Sequence, residues 1–251
     1  MDLYAKLSEL AKSGRGAALC TIIETRGSTP RKAGSKIIVT EDEKSFGSVG
    51  GGILEKQLIK DALKCISTGR SMIGKYSAGS DKDGASYGEA RIFIDPLALK
   101  KKLYIFGAGH VGQALASLAK NYGFSVSLID HRKELMEVID IKDVKKITGE
   151  YMTELEKLSF DKNCFVAVMT NAHESDEAVT LACSEKEHAY LGMIGSKKKV
   201  AEAKQNFTAS GMDRPTLNSI DMPIGIAMNC ETPAEIAISI MARLIDVKNS
   251  L

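Results

Sequence analysis

No apolar run in this chain is long enough to span a membrane. Its first residues, Met1-Asp2-Leu3-Tyr4-Ala5-Lys6, hold no apolar segment of the kind a secretory signal carries. The expectation is a cytoplasmic protein with no membrane partner. An excess of one charge is also lacking. The 34 Lys and Arg residues stand against 32 Asp and Glu, and a net charge of +2 argues against nucleic acid as a partner. Cys20, Cys65, Cys164, Cys183 and Cys230 are scattered, odd in number and nowhere form Cys-x-x-Cys. Neither a disulfide framework nor a zinc site is expected, and most of them read as small buried apolar residues. Internal repeats and low-complexity segments are missing too. What is present, 44% apolar and 26% charged over 251 residues, can fill the core of one large or two ordinary domains.

The most informative stretch runs from Lys102 to Asp130. An apolar strand, Lys102-Leu103-Tyr104-Ile105-Phe106, feeds into Gly107-Ala108-Gly109-His110-Val111-Gly112, then a helical run, then the apolar Ser125–Asp130. This is Gly-x-Gly-x-x-Gly between strand and helix. Gly107 permits the tight turn, Gly109 lets backbone approach a pyrophosphate, and Gly112 lets the helix pack on its strand. The helix start aims free N–H groups at an anion. Asp130 stands where an acid reaches a ribose hydroxyl. The alternative is a doubly wound fold whose glycines serve packing alone.

Ahead of this stretch, Asp2–Ser13 predicts a short amphipathic helix and Ala17–Thr25 a buried strand. A basic loop follows, Arg26-Gly27-Ser28-Thr29-Pro30-Arg31-Lys32-Ala33-Gly34-Ser35, then a strand over Lys36–Thr40. Gly50-Gly51-Gly52 leads into a helix from about Ile53 to Cys65. Three glycines in a row are entropically costly unless backbone must approach something closely, and the helix start behind them would offer an anion site. The alternative is a tight turn packed on another strand. Gly69–Gly88 reads as connections around one short strand, and Ala90–Asp95 as a strand that Pro96 stops.

Beyond Leu97–Lys101 the pattern alternates. Strands are expected at Lys102–Gly107, Ser125–Asp130, Val144–Ile147, Cys164–Thr170, Ala189–Ile194 and Pro223–Ile226. Helices are expected at His110–Asn121, Met152–Leu158, Asp176–Glu187, Lys197–Phe207 and Pro233–Asp246. The fold class is therefore α/β: a Rossmann-like, doubly wound parallel sheet over residues 99–251 and a smaller N-terminal α/β domain over residues 1–98. Ligands on such a sheet bind beyond the carboxyl ends of the strands. There, His173 reads as an acid, a ligand or a hydrogen-bond donor, with capping of the next helix by Ser175 or Asp176 as the plainer alternative. Ser196, ahead of Lys197-Lys198-Lys199, could hold a phosphate or merely open a solvated helix. Thr232-Pro233-Ala234-Glu235 reads as a capped helix start.

Taken in order, the Arg26–Arg31 loop, Gly50-Gly51-Gly52-Ile53-Leu54-Glu55, Phe106–Gly112, Thr170 with His173 and Asp176, Tyr190–Ser196, and Pro223-Ile224-Gly225 with Thr232–Ala237 resemble the xanthine dehydrogenase accessory factor family (XdhC/CoxI). That family matures molybdenum hydroxylases. The resemblance covers nearly the whole chain. It implies a chaperone more than a catalyst, often dimeric. Such a protein binds the molybdenum cofactor (molybdopterin or its cytosine dinucleotide), assists its sulfuration through a cysteine desulfurase, and delivers it to a xanthine dehydrogenase-type hydroxylase. The implied cofactor-binding set is Arg26, Ser28, Arg31, Gly50, Gly51, Gly52, Glu55, Gly107, Gly109, His110, Gly112, Asp130, His173 and Ser196, with no catalytic residue and no resident metal ligand. Two features depart from the family pattern. Ser86-Tyr87-Gly88 stands where many relatives have Cys-Gly-Gly, and Asn171-Ala172-His173 where many have His-Asp-His. NAD(P) stays open as a ligand, because Asp130 suits NAD while Arg132 leaves NADP possible. The rival readings are an NAD(P)-dependent oxidoreductase and a nucleotide-sensing regulatory module. The basic loop, the triple glycine and the second domain's strand ends are expected to face one cleft.

Overall fold

A computed structural model describes residues 2–77, 88–97 and 100–251. The chain divides into two compact units, Met1–Leu99 and Lys100–Leu251. The first holds a five-stranded antiparallel sheet in the order β3 (Ser45–Gly47), β2 (Lys36–Thr40), β1 (Ala17–Gly27), β5 (Gly88–Pro96), β4 (Met72–Ser77). Buried and open positions alternate along β5, so one face of the sheet is apolar. Helix α2 (Gly52–Thr68) covers that face with Leu54, Leu58, Ala62 and Cys65, which recur at helical spacing. Helix α1 (Leu3–Ser13) packs Leu3, Leu7 and Leu10 against Ala17 and Ile38. The Asp2 carboxylate caps it by accepting from the backbone of Tyr4 and Ala5, and left-handed Gly14 ends it.

The second unit is the expected parallel sheet, in the order β10 (Tyr190–Met193), β9 (Cys164–Val168), β6 (Lys101–Phe106), β7 (Phe124–Asp130), β8 (Val144–Thr148). Every residue of β9 is buried, as a strand covered on both faces requires. Helices α3 (His110–Ala119), α4 (Lys133–Val138) and α9 (Pro233–Ser250) cover one face. Helices α5 (Tyr151–Lys157), α6 (His173–Ser184), α7 (Lys197–Ala209) and α8 (Arg214–Ser219) cover the other. The strand order reverses between β6 and β9, so a crevice opens above their carboxyl ends.

Three sequence expectations need correction. Pro223–Ile226 is not a strand. Pro223 has no N–H for a ladder and Gly225 sits at φ +104°. The Ile224 and Ile226 N–H groups donate instead to the carbonyls of Met193 and Ser239, so the segment threads between β10 and α9. Neither Ser175 nor Asp176 caps α6: Ala172 holds the cap position, and Asp176 lies inside the first turn. Helices α4 and α8 have no counterpart in the sequence pattern, since six residues are too few to show a period. The expected cap of α9 is present. Thr232 accepts from the Glu235 backbone, the Glu235 side chain reaches back, and Pro233 opens the helix. Ser86 and Tyr87, where the sequence departs from the Cys-Gly-Gly pattern, lie outside the described residues.

Candidate functional site

Around the glycine turn of the second unit each glycine has its own requirement. Gly107 sits at φ +112°, and a Cβ there would stand 2.0 Å from the Met169 carbonyl oxygen. It therefore sets the approach of the β6 turn to the β9 turn across the switch point. A Cβ on Gly112 would stand 2.0 Å from the Gly107 carbonyl oxygen, so the helix could not close on its own turn. Gly109 differs. Its φ is −66°, ordinary for any residue, and a Cβ there would meet nothing within 4 Å. It occupies the cap position of α3 with no side chain capping the helix. The first helical residue, His110, is exposed beside it. An uncapped helix start behind an open glycine is the arrangement that accepts a phosphate.

Asp130, the expected ribose ligand, presents no free oxygen. It is wholly buried. Its Oδ2 accepts from the Ala108 N–H at 2.7 Å and Arg132 Nη2 at 2.7 Å; its Oδ1 accepts from the Arg132 N–H at 3.0 Å and Nε at 2.9 Å. Burial alone would push the carboxyl up, but the Arg132 guanidinium and the two backbone donors outweigh it and bring it down to about 2. His131 Nδ1 lies 4.0 Å from Oδ1, and the His131 ring meets the Tyr151 ring edge-on. The Tyr151 hydroxyl is buried without a hydrogen-bond partner, and burial followed by the Asp130 charge pushes the phenol up. Neither His131 nor Tyr151 stands out in the sequence. Tyr151 directly follows the short turn after β8, so inspection of every strand end would have found it.

The β9 turn supplies the opposite wall of the crevice. The Thr170 N–H and hydroxyl both donate to Asp176 Oδ1, at 2.6 and 2.7 Å. Burial of Asp176 pushes its carboxyl up despite these donors. His173 opens α6, both its ring nitrogens are buried without hydrogen bonds, and Nε2 lies 4.0 Å from Glu177. Ser196 caps α7 by accepting from the Lys199 N–H at 3.3 Å. The structure thus brings Gly107, Gly109, His110, Gly112, Asp130 and His173 to the carboxyl ends of one sheet. Ser196 lies one strand further out.

Within the first unit, Gly50, Gly51 and Gly52 have φ of +136°, +75° and +65°, conformations that explain three glycines in a row. The anion site expected behind them is already filled from within. Glu55 Oε1 accepts from Ser48 Oγ at 2.8 Å, the Gly51 N–H at 2.9 Å and the Val49 N–H at 3.0 Å. Partial burial pushes this carboxyl up, and those donors reverse the shift to a net fall. Arg26, Ser28 and Arg31 are exposed, and Arg26 Nε donates to Glu24. Glu55→Ala is expected to cost about 2 kcal/mol, because three donors lose their acceptor. Sulfate should then raise the melting temperature of the variant more than that of the parent. Circular dichroism melts with and without sulfate check this, and equal sulfate responses would mean the turn does not hold an anion.

Among the described residues no group of His, Cys, Asp and Glu could hold a metal ion, and no helix is long and apolar enough to cross a membrane.

Residues 103–244 match the family model of the XdhC Rossmann domain, and residues 10–77 that of the XdhC and CoxI family. The chain is 27% identical over 256 residues to YqeB of Escherichia coli, covering all of this chain and 47% of that protein. It is 27% identical over 158 residues to a probable xanthine dehydrogenase subunit of Bacillus subtilis, covering 62% of this chain and 46% of that one. It is 38% identical over 72 residues to the molybdenum cofactor insertion chaperone PaoD of E. coli, covering 29% and 23%. The chain spans about half the length of the first two curated relatives. A crystal structure described as a xanthine dehydrogenase from Bacillus halodurans shares the fold, with a TM-score of 0.54 at 23% identity over all of this chain and 96% of that one.

Proposed function

The chain belongs to the XdhC and CoxI family, and on that premise we propose that it is a cytoplasmic chaperone that carries the molybdenum cofactor during maturation of a xanthine dehydrogenase-type molybdenum hydroxylase. The cofactor is cargo here. Its phosphate, or the pyrophosphate of its cytosine dinucleotide form, rests on the start of α3. Gly109 lets the backbone reach it, and the unpaired N–H groups of the first turn hold it. The observation that carries this reading is the open, uncapped Gly109 next to two glycines that packing alone explains. His173, whose ring nitrogens make no hydrogen bond although Nε2 lies 4.0 Å from Glu177, is proposed to donate to the rest of the ligand from the opposite wall. A homodimer, sulfuration of the held cofactor by a cysteine desulfurase, and transfer to the hydroxylase complete the proposal. An NAD-dependent oxidoreductase fits the residues less well, because Asp130 has no oxygen left for a ribose.

The test is retention of purified molybdenum cofactor through gel filtration, read as molybdenum content and pterin fluorescence, with NADH as competitor. The wild-type chain should retain cofactor, and NADH should not displace it. Gly109→Val should weaken retention at least tenfold, about 1.4 kcal/mol, with an unchanged circular dichroism spectrum. Normal retention by the variant would move the cofactor elsewhere. Tight NADH binding without cofactor retention would favour the oxidoreductase.

A further inference from the structure

We propose that Asp130 and Arg132 form a clasp that closes the ligand site to ribose diols and directs it to a ligand with a second anionic group beyond the phosphate on α3. The inference rests on the glycine turn being a phosphate site, as proposed above, and names what lies next to it. In a nucleotide site of this topology the acid at the end of the second strand offers free oxygens to the ribose 2′- and 3′-hydroxyls. Here that acid is completely buried, and each oxygen carries two donors. Three of the four donors belong to Arg132, and the fourth is the Ala108 N–H within the glycine turn. A diol could bind only by breaking a charge-assisted bond to the guanidinium.

What faces outward is Arg132 itself. Its side chain is 34% exposed, and with Nε and Nη2 turned to Asp130, Nη1 makes no hydrogen bond among the described residues. Lys133, the next residue along the chain, lines a hollow of about 500 Å³ with Met136, Glu137, Lys146 and Thr148. Of these, Lys133 lies 3.9 Å from Glu137, and Lys146 donates to the carbonyls of Met136 and Ile139. At Arg132 a diol would meet a cation, whereas a phosphate would meet its complement. Arg132 is therefore a specificity-determining residue acting through the group it covers.

The clasp is tested by isothermal titration calorimetry with inorganic pyrophosphate, NADH and NADPH as probes, on the wild type, Gly109→Val, Arg132→Ala and Arg132→Lys. Pyrophosphate should bind the wild type and not Gly109→Val. NADH should bind no more than threefold tighter than pyrophosphate, and NADPH at least tenfold tighter than NADH. Arg132→Ala should gain at least tenfold for NADH and lose the preference for NADPH. Arg132→Lys, which cannot fork onto both oxygens, should fall between. Wild-type protein that prefers NADH to NADPH, or a folded Arg132→Ala with no gain for NADH, overturns the clasp while leaving the phosphate site standing. If Arg132→Ala fails to fold, the wild-type order of the two nucleotides decides. Absence of all binding, pyrophosphate included, overturns the phosphate site and the clasp together.

Discussion

Alanine at Gly112 or Gly107 is expected to abolish the cooperative folding of the second unit, while valine at Gly109 leaves it standing. The ordering follows from what each new Cβ meets. At Gly112 it would sit 2.0 Å from the Gly107 carbonyl oxygen, and at Gly107 2.0 Å from that of Met169. Both obstacles are backbone. Neither can swing aside as a flexible side chain would, so the start of α3 must move off its strand or β6 must part from β9. Gly107 adds the strain of φ +112°, on the order of 1–3 kcal/mol for a residue with a Cβ. The total for either substitution should exceed roughly 4 kcal/mol, beyond the usual range for a point change. A Cβ at Gly109 meets nothing within 4 Å, so Gly109→Val should cost only about 1 kcal/mol, for a poorer cap. The chain has no tryptophan, so far-UV circular dichroism during urea unfolding is the suitable probe. Equal stability of the three variants would mean that the turn relaxes and that its glycines are not structural.

The same comparison shows what could be read before the structure. The Gly-x-Gly-x-x-Gly spacing and the alternation after Lys101 were enough for the parallel sheet, because period and turn chemistry are local properties. The fate of polar groups was not legible. Gly50-Gly51-Gly52 before a helix looked like an anion site, and the anion proved to be Glu55, four residues on from Gly51. Asp130 looked like a ribose ligand, and its partner proved to be Arg132, two residues away. In both cases the competing acceptor or donor was visible in the sequence, but whether it folds back or reaches out depends on side-chain geometry that spacing does not fix. Pro223–Ile226 failed for another reason. Ile224 is buried, as in a strand, while Ile226 is exposed, and the segment meets β10 and α9 through single hydrogen bonds instead of a ladder. Tyr151 stayed hidden because an aromatic after a short strand reads as core, and most of its ring is core.

Removing the Asp130 carboxylate should produce the largest loss from any polar substitution in the second unit, and the wild-type residue should make that unit acid-sensitive in a defined window. Asp130→Ala leaves the Ala108 and Arg132 N–H groups without an acceptor and the guanidinium without its partner. Breaking a buried ion pair from one side costs about 3–5 kcal/mol, and the partial exposure of Arg132 places the expectation near the lower end. The pH dependence follows from the carboxyl's fall from 3.8 to about 2 in the folded protein. A depressed folded value means that the unfolded chain takes up the proton first. The contribution is therefore full above about pH 4 and fades as the pH falls towards 2, on the order of 2 kcal/mol over that window. Other carboxylates with depressed values, Glu55 and Asp161 among them, add to acid unfolding. The informative quantity is thus the difference between the wild type and Asp130→Asn. The asparagine keeps an acceptor for only one of the two backbone donors, which bond to different Asp130 oxygens, and cannot titrate, so it should lose about 2 kcal/mol at pH 7 and narrow that gap between pH 4 and 2. Urea unfolding at intervals from pH 7 to 2 measures the gap. A gap that stays constant with pH would show that the Asp130 charge does not hold the turn, and that its hydrogen-bonded shape alone does.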